Sequence, residues 1–72
     1  MNLQPGQYWI PKSDEPVFIL INRVESSDTQ FDGQPPTLGM IYVTYLPDGW
    51  NTHFCYNENF SKVWEFAGGP QP

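Results

Sequence analysis

Residues Met40 to Tyr56 read MIYVTYL, PDG, WNTHFCY, two seven-residue runs rich in aromatic and β-branched side chains around one proline-glycine turn. Such runs favour the pleated backbone, and the residues between them are turn formers, so the stretch reads as a β-hairpin. Proline presets φ at Pro47, Asp48 suits the next position and Gly49 takes the left-handed one. That chemistry predicts a three-residue loop with a G1 bulge. Counted outward from this loop, Leu46 pairs with Trp50, Thr44 with Thr52, Tyr42 with Phe54 and Met40 with Tyr56.

The rest of the chain repeats the pattern. Strong helix formers are scarce, and eight prolines and six glycines break the sequence at short intervals. A strand over Gln7 to Ile10 follows the turn pair Pro5-Gly6, and a longer one over Val17 to Glu25 begins with five consecutive apolar residues. Ser26 to Leu38 is polar, contains Gly33, Pro35 and Pro36, and reads as a long exposed loop. Asn57 to Phe60 reads as a single 3₁₀ or helical turn, with Asn57 capping and Phe60 pointing inward. Lys62 to Phe66 makes a last short strand. The expectation is an all-β chain, a small five-stranded SH3-like barrel with one 3₁₀ turn before the last strand. Residues 1–67 form its single domain, and 68–72 a flexible tail with nothing to pack against.

With 72 residues, only about 60% of the unfolded surface can be buried. Twelve aromatic residues, five Phe, four Tyr and three Trp, supply the large side chains that let so short a chain close a core. Cys55 is the only cysteine, so no internal disulfide exists and a reducing, cytoplasmic setting fits. The longest apolar run, Val17 to Ile21, is far shorter than the roughly 20 residues of a spanning helix, and no membrane association is expected. A net charge of −5 opposes direct binding to nucleic acid.

The chain resembles small SH3-like barrel proteins of unknown function carried by phages and prophages. In these, a Pro-Gly-x-x-Trp opening leads to a strand ending in Val-Glu, a hairpin, and a Phe near the end. The matching residues are Pro5, Gly6, Trp9, Val24, Glu25, Tyr42 and Phe60. The relatives are basic around the hairpin, whereas Asp48 sits at this one's tip, which weakens any nucleic-acid role. The resemblance implies a role in docking on a host or viral protein and supplies no catalytic residues.

Both hairpin faces are apolar, so one of them needs a cover beyond the domain's own interior. Ile41, Val43 and Cys55 are small enough for a tight inside, which places Tyr42, Trp50, Phe54 and Tyr56 outside as an aromatic shelf beside Asp48. In the opposite arrangement the aromatic face is the core. An open shelf of Tyr and Trp is an interface anchor, so the functional expectation is a protein-binding module with another protein as partner. Two alternatives stand beside it: an acidic decoy for a nucleic-acid-binding host protein, and a structural subunit that associates with itself as a homo-oligomer. His53 and Cys55 share a strand side but lack companions for a metal site or a thiol nucleophile. No enzyme, metal or cofactor is expected.

Overall fold

The computed structural model of the protein describes residues 2–72. Its strands are β1 (Tyr8–Pro11), β2 (Phe18–Glu25), β3 (Gly39–Leu46), β4 (Trp50–Tyr56) and β5 (Trp64–Gly68), with a one-turn helix α1 (Phe60–Val63) between β4 and β5. All pairings are antiparallel, and the strands form one sheet in the order β4-β3-β2-β1-β5. The sheet curls without closing, because β4 and β5 remain its two edges.

The chain enters through a tight turn. Gly6 has φ +91, a value open to glycine, and the Gln7 amide donates to the Gln4 carbonyl at 3.3 Å across Pro5-Gly6. In β2, Ile19 and Ile21 point inward. The register against β3 then shifts, Ile21 facing Val43 and Arg23 facing Tyr42, which leaves Asn22 as the extra residue of a bulge. The bulge resets the alternation, so Val24 faces Ile41 and packs against the core. Leu3, Trp9, Ile19, Ile21, Ile41, Val43 and Phe60 make up that core. Each fully buried Ile or Val contributes on the order of 1.5–3 kcal/mol.

The hairpin differs from its sequence expectation by one residue. Tyr45 faces Trp50, and the register runs unbroken through Val43 and Thr52, Ile41 and Phe54, to Gly39 and Tyr56. The loop is therefore four residues, Leu46 to Gly49, with the Gly49 amide donating to the Tyr45 carbonyl and Gly49 at φ +83. The Leu46–Pro47 peptide is cis. A one-residue slip moves every β4 side chain to the other face. Here it brings Phe54 and Tyr56 onto the side of Ile41 and Val43, which are fully buried, and sends Cys55 outward. Burial of one apolar face outweighs the local preference of the turn.

A turn spans Asn57 to Phe60, as expected, and the chain then continues into α1. Asn57 Oδ1 accepts the Asn59 amide at 2.8 Å, and i to i+3 bonds reach from Phe60 to Asn57 and from Lys62 to Asn59. Phe60 to Val63 then form one α-helical turn, closed by the Trp64 amide donating to the Phe60 carbonyl. Phe60 points inward.

Gln7 is the one buried polar side chain among the described residues, with no exposed surface. Its Oε1 accepts the Gln4 amide at 2.9 Å and the Trp9 indole N–H at 3.1 Å, while Nε2 donates to the carbonyls of Asn2 at 3.2 Å and Pro70 at 2.9 Å. The final residues, expected to have nothing to pack against, do have partners. Gly68 pairs with Tyr8, Pro70 accepts from Gln7, and Gln71 accepts from Gln4. Gly69 lies at φ +93 against Gly6 and Gln7, where a β-carbon would collide with the Gly6 carbonyl.

Replacing Gln7 with Leu removes the acceptor of two buried donors and the donor to two carbonyls. It should cost about 2–4 kcal/mol, read as a lower urea midpoint with an unchanged m-value. Gly69→Ala should cost more than about 1 kcal/mol, because the docked segment admits neither the left-handed alanine nor its methyl group. An unchanged midpoint for Gly69→Ala would show that the terminal segment contributes nothing to stability.

Candidate functional site

The residues chosen from the sequence do not form one shelf. Tyr42 lies on the outer face with its ring under the Arg23 guanidinium, 4.2 Å from the ring centre, and beside His53 at 5.2 Å. Trp50, Phe54 and Tyr56 share the opposite, inward side. Phe54 and Tyr56 are half-buried against the core, Tyr56 edge-on to Phe60 at 6.2 Å. Trp50 lies beyond the core at the hairpin tip, stacked on Tyr45 at 5.0 Å and still 58% exposed. Asp48 is exposed in the turn. Of the five, Phe54 borders a cleft.

That surface is the seam where the sheet fails to close. Between the β4 side and α1 lies an open cleft of about 230 Å³, floored by Phe54, Phe60 and Trp64, walled by Val63 and rimmed by the polar side chains Gln34, Asn57 and Asn59. The local sequence accounts for its shape. Phe60 and Trp64 are four apart across one helical turn and stack at 6.1 Å with an 18° interplanar angle. The same turn leaves Val63 outside, 55% exposed. The cleft is smaller than the roughly 300 Å³ at which small-molecule pockets begin. A second hollow of about 360 Å³ is bordered by Ser26, Ser27 and Asp28, none of them an apolar residue.

Charge near the cleft is mixed, because Lys62 on α1 adjoins Val63, but the chain before it is acidic. From Val24 to Ser61 the chain has no Lys or Arg, while Glu25, Asp28, Asp32, Asp48 and Glu58 all fall in that span. The nearest cation before it, Arg23, is engaged with Glu25 at 3.3 Å. Its pKa is raised first by Tyr42 and then by Glu25, so it remains a fixed cation. Burial raises the Tyr56 phenol above its ordinary value of 10.0.

Phe60, Val63, Trp64, Asn57 and Asn59 were not selected from the sequence as site residues. Their signal was present in the aromatic pair four apart, but a strand reading of Lys62 to Phe66 concealed it. On the outer face, Asn22 Nδ2 donates to Thr44 Oγ1 at 2.8 Å, and the Thr44 hydroxyl donates to Asn51 Oδ1 at 2.6 Å, a polar tie across three strands. Cys55 contacts Ser27 Oγ at 3.8 Å. No helix among the described residues is long and apolar enough to cross a membrane.

No family model matches this chain, and neither a curated protein nor a solved structure does.

Because the neutral phenol of Tyr56 is favoured on folding, its contribution to stability is complete below pH 10.0 and is lost as pH rises through the higher folded-state value. Tyr56→Phe should therefore lose less thermal stability than the wild type between neutral pH and a pH just above 10.0, measured by circular dichroism. Equal losses would mean that Tyr56 ionises as freely in the folded protein as in the unfolded one.

Proposed function

We propose that this protein is a small protein-binding module whose docking surface is the cleft between β4 and α1. The observation that carries this reading is the cleft itself: an aromatic floor, an exposed aliphatic wall and an amide rim, at a volume suited to side chains of another protein. The expected shelf is replaced by this surface, since Tyr42 faces away from Trp50, Phe54 and Tyr56. Trp50 and Asp48 remain exposed at the hairpin tip, where they serve as peripheral contacts.

The fold is read more finely as an SH3-like barrel with an open seam. Support comes from the strand order β4-β3-β2-β1-β5 and from the bulge that bends β2 at Asn22. The resemblance through Pro5, Gly6, Trp9, Val24, Glu25, Tyr42 and Phe60 is what supports reading the chain as a phage or prophage accessory protein. A host or viral protein is then the partner. The free thiol of Cys55 fits a cytoplasmic setting.

A random peptide library selected on the immobilised protein tests the reading. Selected peptides should bind Val63→Asp at least tenfold more weakly, about 1.4 kcal/mol, while the far-ultraviolet circular dichroism of the variant stays that of the wild type. Selected peptides that bind the variant undiminished would remove the cleft as the docking surface.

A further inference from the structure

The cleft meets β4 at Phe54 and Cys55, near the end of the strand, and β4 is itself an unpaired edge. The two edges of the sheet are built differently. β5 is short, carries Glu65, meets β1 through an irregular register between Tyr8 and Trp9, and is followed by Gly69 and Pro70. Short length, charge, bulges and proline are the devices that keep an edge from recruiting another strand. β4 has none of them. Its seven residues include no Asp, Glu, Lys, Arg, Pro or Gly, and its register with β3 is unbroken. Among the described residues, no backbone hydrogen bond from outside the β3 ladder reaches Trp50 to Cys55. The outward N–H and C=O groups of this stretch are a template for a sixth strand.

Charge selects between occupants. Asp48 stands two residues before β4 and Glu58 two residues after it, so an uncharged edge is bracketed by acids. A second copy pairing antiparallel about His53 would set Asp48 against Glu58 at both ends of the interface, like charges directly opposite. A foreign strand with cations at its two ends meets the opposite charges of Asp48 and Glu58 there, with Lys62 on α1 the nearby cation of this flank.

We propose that β4 accepts an added strand from a partner protein, an extended segment that is uncharged and alternately apolar in its middle and bears Lys or Arg at each end. A strand added at the usual spacing of about 4.8 Å passes the cleft at the Phe54–Cys55 end of β4, where one of its side chains enters between Phe54, Val63 and Trp64. This inference rests on the cleft being a protein-binding surface and adds the mode of recognition and the chemistry of the partner.

The test uses a synthetic peptide of alternating valine and threonine with lysines at both ends, and the same peptide with glutamates there. The lysine form should slow hydrogen exchange of alternate amides within Trp50 to Cys55 by at least about tenfold at saturation. The glutamate form should not. Asp48→Asn combined with Glu58→Gln should weaken the lysine peptide about fivefold at low salt, with the difference fading as salt rises. A peptide methylated on alternate backbone nitrogens that binds as tightly as its parent would overturn strand addition and leave the binding-module reading standing. Protection of β4 without peptide, together with a mass doubled from 8.3 kDa in light scattering, would make the occupant a second copy and overturn the foreign strand. If these peptides fail and library selection also yields none, both readings fall together.

Discussion

One buried amide holds the two ends of this chain to its core. Gln7 is surrounded on all sides, and in that low-dielectric setting each of its four hydrogen bonds is directional and costly to lose. Two of the bonds reach the N-terminal turn and one reaches Pro70 near the other end. The fourth orients the Trp9 indole. Trp9 in turn meets Phe60 at 5.0 Å and Phe66 at 5.4 Å, both nearly edge-on. The position of α1, and with it the floor of the cleft, therefore descends from a polar side chain in the first strand's approach. A domain without a disulfide gains from such a tie, because a small hydrophobic core alone leaves its termini weakly held.

The same economy governs the sheet. Asn22 is inserted into β2 so that Ile19, Ile21 and Val24 all face inward although they do not alternate strictly. Its amide is not left idle, since it anchors the polar tie through Thr44 to Asn51 on the outer face. One residue thus bends the strand, resets its register and satisfies its own polar group. The sheet remains unclosed, with β4 and β5 as its edges. An unclosed sheet leaves a seam, and the seam carries both the cleft and the free edge. In contrast to β4, the β5 edge is short, charged and followed by glycine and proline, so the two ends of one sheet have opposite tendencies toward further pairing.

Much of the fold was legible in the residues. All five strands lie within a few residues of their expected positions, and β4 matches at both ends, because turn formers bracket each β-branched and aromatic run. Of Ile41, Val43 and Cys55, the set small enough for a tight interior, Ile41 and Val43 are fully buried and Cys55 lies on the other side. The hairpin register was missed by one residue. Pro47-Asp48-Gly49 specifies a turn, but the loop length also depends on which strand face finds the core, and that depends on β2 and Trp9. The slip divided Tyr42 from Trp50, Phe54 and Tyr56 and dissolved the aromatic shelf. The cleft was concealed for a related reason, since Phe60 and Trp64 meet only because one helical turn intervenes where an extended strand was expected to begin.

By itself the sequence determined the all-β character, the strand segments, the acidity around the hairpin and the lack of any internal disulfide. These follow from local propensity, turn chemistry and composition. Tertiary structure alone decided the four-residue loop, the face each β4 side chain takes, the burial of Gln7 and the open seam beside α1. The physical reason is that local preferences for a turn or an alternation are worth tenths of a kcal/mol to about one, whereas burying or exposing a whole strand face is worth several. Where the two conflict, the core sets the register.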